Sequence, residues 1–306
     1  MTLLTRRHIL QGAGAMTLAG ASLGTYACVI EPGFRLDVTN YGLTPPHWTP
    51  GLNLKAALIA DIHACEPQMS AARIRHIAEV TNLLNPDIVF LLGDFNAAHR
   101  FVTGPVYPEQ WAEALSILRP PLGVFAILGN HDWWHGALPH MRSDDAAAIR
   151  SALHQANFKL LDNEAVGLMK NGQPFWVAGL GDQLAHPNAH WRGFQGDDDL
   201  EGTLAKAADG APVLLLAHEP FVFPRVPARV SLTLCGHTHG GQVNLPIITE
   251  QFTEAQFGMK NVYGHIVEGG RHMIISAGLG TSIAPIRLFR PPEIVLVNIG
   301  SESALA

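Results

Sequence analysis

Five short polar motifs hold the residues of this sequence whose types and spacing could do chemistry. Each follows an apolar run that is short enough to be a buried strand. They are Asp61-Ile62-His63, Gly93-Asp94, Gly129-Asn130-His131-Asp132, Ala217-His218 and Gly236-His237-Thr238-His239. Because ligand sites in α/β sheets lie at the carboxyl ends of strands, the five motifs predict one shared site.

The donor groups in these motifs indicate metal binding. In Asp-x-His and His-x-His, alternate residues of an extended chain point the same way, so both side chains can reach one ion. About seven donors result, which is more than one ion needs, and a carboxylate with two oxygens, such as Asp94, can bridge two ions. Mixed nitrogen and oxygen donors without a thiolate favour Mn, Fe or Zn over calcium.

The elements that must position these motifs alternate between strand and helix at first, and strands dominate later. Ser70 is the predicted N-cap of a helix whose apolar face includes Ile74 and Ile77, and Asn171-Gly172 predicts a hairpin turn. Helices are also expected near 109–118, 143–155 and 197–208, and strands near 34–38, 54–60, 88–92, 124–128, 159–161, 165–170, 174–180, 213–217, 230–234, 273–276 and 294–299. This order predicts two packed sheets with helices outside.

Composition limits the classes of partner. The chain has 306 residues, 47% of them hydrophobic, and a formal net charge of −6. An acidic body argues against DNA or RNA as a partner, because such binding depends on counterion release by Lys and Arg. A small or amphiphilic phosphorylated substrate is compatible with it, since a metal supplies positive charge locally. Cys65 and Cys235 are predicted to be small buried residues, with a disulfide between them as the alternative.

The N-terminus combines paired arginines with an uncharged stretch. Arg6-Arg7 precede a weakly apolar run rich in Gly, Ala, Ser and Thr, a pattern typical of twin-arginine export, which carries folded proteins. Thr25-Tyr26-Ala27 is a poor match to a small-x-small cleavage site. Residues 1–30 are therefore predicted to be a twin-arginine signal or a membrane anchor, and 31–306 the main domain, located in the periplasm or anchored at the cell envelope.

The five motifs together resemble those of the calcineurin-like metallophosphoesterases, over about residues 31–299. Within that family the chain is similar to the twin-arginine-exported YkuE and YaeI group, and also to bacterial UDP-2,3-diacylglucosamine pyrophosphatases. Further matches are His218-Glu-Pro220, Gly236-His-Thr-His-Gly-Gly-Gln242, Gly278-Leu-Gly-Thr-Ser282, Pro285-Ile-Arg287 and Pro292-Glu293. The resemblance implies an α/β fold, a four-layer α/β/β/α sandwich of two mixed sheets flanked by helices.

The resemblance also implies two divalent ions and a role for each motif. One ion would be held by Asp61, His63, Asp94 and His239, and the other by Asp94, Asn130, His218 and His237. His131 would protonate the leaving oxygen or steady the phosphoryl group, and Asp132 would orient its ring. Trp133 is predicted either to line a substrate groove or to form a buried aromatic pair. Arg287 is predicted either to contact a substrate phosphate or to form a structural salt bridge.

The predicted function is hydrolysis of a phosphodiester or pyrophosphate bond by a metal-bridging hydroxide, on a small-molecule or lipid-linked substrate such as UDP-2,3-diacylglucosamine. One alternative is a phosphomonoesterase acting on phosphoproteins or small phosphates. Another is an envelope protein that binds metal without catalysis, for which lost ligands or a replaced His131 would be expected, and the sequence shows neither. Gly240-Gly241 after His239 disfavour a metallo-β-lactamase-type hydrolase, whose motif continues with Asp-His.

Overall fold

The strands of this protein were located in a computed structural model, which describes residues 5–97, 99–134, 145–188, 193–245, 249, 251, 253–254 and 262–300. They are β1 (Asp37–Leu43), β2 (Leu54–Ile59), β3 (Cys65–Glu66), β4 (Ile88–Leu91), β5 (Gly104–Pro105), β6 (Val124–Ala126), β7 (Lys159–Leu160), β8 (Glu164–Lys170), β9 (Gln173–Gly179), β10 (His186–Asn188), β11 (Gly193–Gln195), β12 (Val213–Leu216), β13 (Leu232–Cys235), β14 (Gly264–Glu268), β15 (Arg271–Ile275) and β16 (Glu293–Ile299). The runs that end at the predicted site are apolar and buried on both faces, as expected of strands between two layers.

Two six-stranded mixed sheets form the centre of the fold. The first has the order β1-β16-β2-β4-β6-β7, in which β2, β4, β6 and β7 run parallel and β16 pairs antiparallel with β2. The second has the order β14-β15-β13-β12-β9-β8, in which β9, β12, β13 and β15 run parallel. The two short pairs β3-β5 and β10-β11 stand apart from these sheets.

Helices cover the outer faces of the two sheets, apart from the first helix, which projects from the domain. They are α1 (Arg6–Thr25), α2 (Glu31–Phe34), α3 (Ala71–Leu83), α4 (Pro108–Leu115), α5 (Asn130–Trp133), α6 (Asp145–Gln155) and α7 (Leu200–Ala205), with a π-helical segment at Tyr26–Ile30 and 3₁₀ turns at Pro220–Arg225 and His239–Gly241. One apolar core lies between the sheets, a second lies under α3, α4 and α6, and a third lies under α7 and Pro220–Arg225. The predicted four-layer α/β/β/α sandwich is therefore confirmed.

Local signals in the sequence located several elements correctly. The Ser70 side chain accepts the N–H of Arg73 at the start of α3, which buries Ile74 and Ile77. Asn171 and Gly172 both have positive φ angles and form the tight turn between β8 and β9. The predicted start of the 143–155 helix at Ser143 lies outside the described residues.

Other boundaries differ from the prediction. The first strand is Asp37–Leu43 instead of 34–38, because the N-terminal helix continues to Phe34. The helix expected at 197–208 is only Leu200–Ala205, and Asp199 caps it by accepting the N–H of Gly202. β14 was not predicted, because its alternation of exposed and half-buried residues at a sheet edge is a weak signal.

The N-terminal segment is one continuous helical rod over Arg6–Phe34. By length and composition it is the single helix among the described residues that could cross a membrane, a test that a signal sequence also meets. Its first twenty residues project from the domain, whereas Ala27, Glu31 and Pro32 are buried against it. The rod and the domain are thus joined by packing as well as by the chain.

Candidate metal centre

The predicted ligands converge at the carboxyl ends of β2, β4, β6, β12 and β13. Two clusters form, within each of which the ligand atoms lie within 4.8 Å of one another: Asp61, His63 and His239, and Asp94, His218 and His237. Asp94 Oδ2 lies 3.2 Å from Nε2 of His218 and 3.4 Å from Nε2 of His63, so this carboxylate stands between the clusters. The Asn130 amide oxygen lies 2.9 Å from Nδ1 of His237 and therefore borders the second cluster.

Most of these ligands have an unusual backbone conformation. Asp61, His63, Asp94, His237 and His239 all have φ angles between 46° and 68°. This left-handed region is costly for residues with a Cβ and persists only where the surrounding structure imposes it. The turn after each strand therefore bends the chain so that a ligand side chain returns over the sheet edge, in a geometry fixed before any ion binds.

Two glycines make room for this arrangement. A Cβ on Gly129 would collide with the Asp94 carboxylate and the His218 ring, and a Cβ on Gly93, whose φ angle is 87°, would collide with the backbone of Leu128 and Gly129. Because no other residue lacks a Cβ, the two strand ends can approach this closely only with glycine at both positions.

Backbone carbonyls orient two of the imidazoles. Nδ1 of His63 donates to the carbonyl of Asn96 at 2.7 Å, and Nδ1 of His218 donates to that of Leu92 at 2.7 Å. A neutral ring that donates from Nδ1 presents its lone pair at Nε2, and both Nε2 atoms face the site. A main-chain oxygen, instead of an acidic side chain, therefore sets the orientation of His63.

Electrostatics at the site favour a bound cation. Burial lowers the pKa of His63 and that of His237 to about 3, so both rings are neutral at pH 7. Burial raises the pKa of Asp61 to about 7, although the His218 ring opposes the shift. Burial also opposes ionisation of Asp94, but the neighbouring imidazoles, His218 first, outweigh it and hold its pKa well below the usual value.

His218 shows most directly that the residues fit a metal. Burial disfavours its protonation, but the carboxylates of Asp94, Glu219 and Asp61 raise its pKa well above the ordinary histidine value. In the described part of the chain, His218 Nε2 and Asp61 Oδ2 are buried without a hydrogen-bond partner. Buried acceptors without a donor require a positive charge nearby, which is a proton or a metal ion. Imidazole nitrogens with carboxylate and amide oxygens suit a divalent transition ion.

The structure corrects the role expected for Asp132. Its carboxylate does not hold the His131 ring but accepts the backbone N–H groups of Asp94, Phe95 and Gly129 at 2.8–2.9 Å. Asp132 is fully buried, and it ties the end of β4 to the end of β6. The sequence misled here because an acid next to a histidine in sequence does not share its side-chain direction at the first turn of a helix.

His131 lies beside the ligand clusters, as predicted. Its ring centroid is 5.2 Å from that of His63, and its backbone N–H donates to Asp94 Oδ1 at 2.8 Å. Burial lowers the pKa of the imidazole, so the ring is neutral at pH 7 and can donate one N–H. Its side chain borders the cavity described next, where a substrate oxygen would lie.

A cavity of about 750 Å³ opens over the two clusters. Its walls are mainly aliphatic and aromatic, and no Lys or Arg is among the residues that line it in the described ranges. The lining side chains beyond the predicted ligands and His131 include Trp134, Leu184, Phe194, Phe221, Gln242, Val243, Ile283 and Ile286. These residues were not predicted, because apolar residues in loops carry no sequence signal that separates a pocket wall from a core.

Trp133 and Arg287 do not contact the cavity. Trp133 packs on the core under α6, with the Arg150 guanidinium 5.4 Å from its ring, and Trp134 takes the place in the cavity wall instead. Arg287 is completely buried and donates to the carbonyls of Ala277, Gly280 and Arg290. Backbone oxygens occupy its donors, and the described residues form no salt bridge with it, whereas the alternative of a substrate phosphate contact stays a prediction.

Two buried acids behind the second cluster were also missed. Glu219 and Asp182 are both inaccessible, and burial raises the pKa of each carboxyl group. Oε1 of Glu219 lies 4.0 Å from Nδ1 of His237, so this carboxyl group borders the second cluster. Cys65 and Cys235 are free and buried, as predicted.

This arrangement of ligands on a four-layer sandwich defines a class of protein. Residues 54–241 match the family model of the calcineurin-like phosphoesterases, and the chain belongs to that family. It is 31% identical to a metallophosphoesterase of Aquifex aeolicus over 90% of this chain and 96% of the relative. It is also similar to YkuE of Bacillus subtilis (28% identity, 98% and 99% coverage) and to the phosphodiesterase YaeI of Escherichia coli (27%, 97% and 100%). The chain is therefore a hydrolase of phosphoester bonds.

Proposed function

We propose that this protein is a dinuclear metal-dependent phosphodiesterase whose substrate carries an apolar group next to the phosphate. The observation that supports this proposal most strongly is the pair of ligand clusters. Asp94 stands between them, and they lie in the wall of an apolar cavity. Asp61, His63, Asp94 and His239 would hold one ion, and Asp94, Asn130, His218 and His237 the other. Two such ions, Mn, Fe or Zn, lower the pKa of water and neutralise phosphate charge when bound.

The chain's own residues account for the remaining steps. The cavity walls orient the substrate and exclude water, because they present apolar side chains on both sides of the ligands. The neutral His131 ring donates its N–H to the leaving oxygen or to a phosphoryl oxygen. Asp132 holds the ends of β4 and β6 at a fixed separation, which fixes the positions of Asp94 and His131 relative to each other.

The cavity favours a diester over a monoester. A phosphomonoester carries a second negative charge, which such enzymes commonly meet with Arg or Lys. Among the described residues the cavity has neither, whereas a diester, or a disubstituted pyrophosphate with one negative charge on each phosphorus, leaves a single charge at the reacting phosphorus for the metals to neutralise. UDP-2,3-diacylglucosamine, implied by the family resemblance, combines a pyrophosphate with acyl chains and is one candidate.

Turnover of two chromogenic esters by the full chain tests this proposal. Metal-stripped protein is resupplied with Mn²⁺ or Zn²⁺ and assayed with bis(p-nitrophenyl) phosphate and p-nitrophenyl phosphate. We expect metal-dependent cleavage of the diester that is lost in Asp94→Ala and kept in Asp37→Ala, an exposed carboxylate paired with Arg35. Cleavage of the monoester alone would establish the phosphatase alternative, and two bound ions without turnover would establish the non-catalytic one.

We also propose that the domain acts outside the cytoplasm after twin-arginine export. Paired Arg6-Arg7 ahead of an uncharged helix support this location. Replacing both arginines by lysine keeps the charge, and it is expected to leave the protein in the cytoplasm if the twin-arginine machinery recognises this pair. Unchanged export of that variant would refute the assignment.

A further inference from the structure

The N-terminal helix ends inside the domain instead of at a flexible linker. Residues 27–34 form the helix exit, where the helix enters the domain. Residues 282–290 form the rim segment, which includes four residues of the cavity wall. Ala27 and Glu31 of the helix exit are buried, and Glu31 is fully inaccessible. A segment that is to be removed after export does not need to be part of the core of the folded protein.

Hydrogen bonds join the helix exit to the rim segment. The Glu31 carboxylate accepts the N–H groups of Phe289 at 3.0 Å and Arg290 at 2.6 Å, and the carbonyl of Ala27 accepts the N–H of Arg287 at 2.9 Å. Gln68 bridges both parts by donating to the carbonyls of Cys28 at 2.7 Å and Pro285 at 3.2 Å. Through these bonds the helix exit holds the rim segment in place, so the direction of the helix affects the position of one cavity wall.

The projecting part of the helix has the dimensions of a membrane span. No Asp, Glu, Lys or Arg occurs between Arg7 and Glu31. The 18 of these residues that project as α-helix, 8–25, would extend about 27 Å, close to the roughly 30 Å of bilayer hydrocarbon. Their described side chains as far as Thr25 are exposed, including Leu10, Met16 and Leu18. Arg6 and Arg7 at the far end favour a cytoplasmic N-terminus, which puts the domain on the opposite side.

Large apolar side chains surround the point where the helix meets the domain. Phe34 is 76% exposed, and Ile283 and Phe289 of the rim segment are 69% and 57% exposed. Val29 and Ile30 are exposed on the helix itself. Such a group at the end of an apolar helix is typical of a surface that enters the interface of a bilayer.

We propose that the Arg6–Phe34 helix is retained as a transmembrane anchor and that it seats the rim segment on the outer surface of the lipid bilayer. The cavity, one wall of which includes Ile283, then opens beside the lipid. Access of an amphiphilic phosphodiester from the membrane rests on the proposed function, whereas the anchoring and the seating do not.

Retention is tested on the full chain made with its native N-terminus in a bacterium. Membranes are washed with alkaline carbonate, and the intact mass of the protein that remains is measured. We expect a chain that still contains Arg6 and stays in the washed membranes. A chain that begins at Cys28 or later, with or without an attached lipid, would overturn the proposal.

Seating is tested with nitroxide spin labels on Phe34→Cys and Phe289→Cys in vesicles of phosphatidylethanolamine and phosphatidylglycerol. The unsubstituted chain gives the background from the native cysteines, and Val267→Cys, an exposed position at the β14–β15 hairpin, is the matched control. We expect both labels to be several-fold less accessible than the control to a water-soluble nickel chelate and more accessible to oxygen. Equal accessibility at all three positions refutes the seating.

The hydrogen bonds at Glu31 provide a second variant. Glu31→Ala removes the acceptor for Phe289 and Arg290 without touching the cavity or the ligands, and we expect the Phe289 label to lose most of its protection while the chain remains in the membrane. Glu79→Ala, an exposed acid of α3, is the control and leaves the protection unchanged. Full protection in Glu31→Ala contradicts the claim that the helix exit positions the rim. None of these readouts needs turnover, so an inactive protein still tests the anchoring.

Discussion

Replacement of Arg287 tests whether a buried cation near the metal ligands supports the fold or meets the substrate. Its side chain donates to the carbonyls of Gly280, Ala277 and Arg290, and Nη2 lies 3.4 Å from Nδ1 of His239. Arg287→Ala leaves three carbonyls without this donor and opens a cavity beside a metal ligand. Arg287→Lys keeps the charge but cannot reproduce the planar fork of donors.

The expected loss of stability follows from two opposing contributions. Three hydrogen bonds from a charged group contribute about 1.5–3 kcal/mol each, so the gross loss is about 5–9 kcal/mol. Burial lowers the pKa of Arg287 from 12.5 to about 10, which shows that the buried cation itself costs about 3 kcal/mol. The net decrease in the free energy of unfolding is therefore about 2–6 kcal/mol, or roughly 3–9 °C in melting temperature.

Calorimetry of metal-stripped protein measures this effect without the stabilisation that a bound metal contributes. We expect both Arg287 variants to melt at lower temperature, whereas Arg75→Ala, at an exposed arginine of α3, changes stability by less than about 0.5 kcal/mol. Steady-state kinetics with a diester completes the test. An unchanged melting temperature together with a raised KM in Arg287→Ala would show that the side chain contacts the substrate, and it would refute the structural role.

Four further predictions concern the site itself. His131→Ala should lower kcat by about 10²–10⁴-fold with little change in melting temperature, because the ring acts at the cavity and supports no packed core. Asp132→Ala should instead lower the melting temperature clearly, since three backbone N–H groups lose their acceptor; an altered pH–rate profile at unchanged stability would contradict this. Metal affinity should fall as the pH drops below 7. The pKa values of Asp61 (about 7) and His218 are both raised, so each side chain binds a proton that the metal must displace. Titration calorimetry in two buffers should detect the release of these protons. Trp134→Ala should raise KM for diesters with a bulky apolar group. Trp133→Ala, which removes a side chain outside the cavity wall, should leave KM unchanged.

The strained turns at the candidate metal centre and the walls of the cavity come from different parts of the fold. Five of the ligands are held in left-handed conformations by packed strand ends, so their positions do not depend on what occupies the cavity. The cavity walls come largely from loops and from the rim segment, which can differ without disturbing the ligands. This division separates the common hydrolytic chemistry from the choice of substrate.

The convergence of the predicted ligands could be inferred from the sequence, because neighbouring residues specify both a strand and the polar group at its end. An apolar run followed by Asp-x-His or Gly-Asp specifies both a buried strand and the polar group at its end, and parallel strands bring those ends to one edge. The same local coding predicted the Ser70 cap, the hairpin at Asn171-Gly172 and the alternation that leads to a sandwich.

Only the tertiary structure decided where individual side chains point and which groups they contact. Asp132 and Trp133 follow His131 directly, yet one ties two strand ends and the other packs on a core, because successive residues of a helix face different directions. Arg287 lies among the carbonyls of Ala277, Gly280 and Arg290, which only the folded course of residues 277–290 brings around its side chain. The contacts of Glu31 with residues nearly 260 positions away decide how the N-terminal helix is held. Sequence thus determined the groups that do the chemistry, whereas long-range packing determined the partner that each buried charge received.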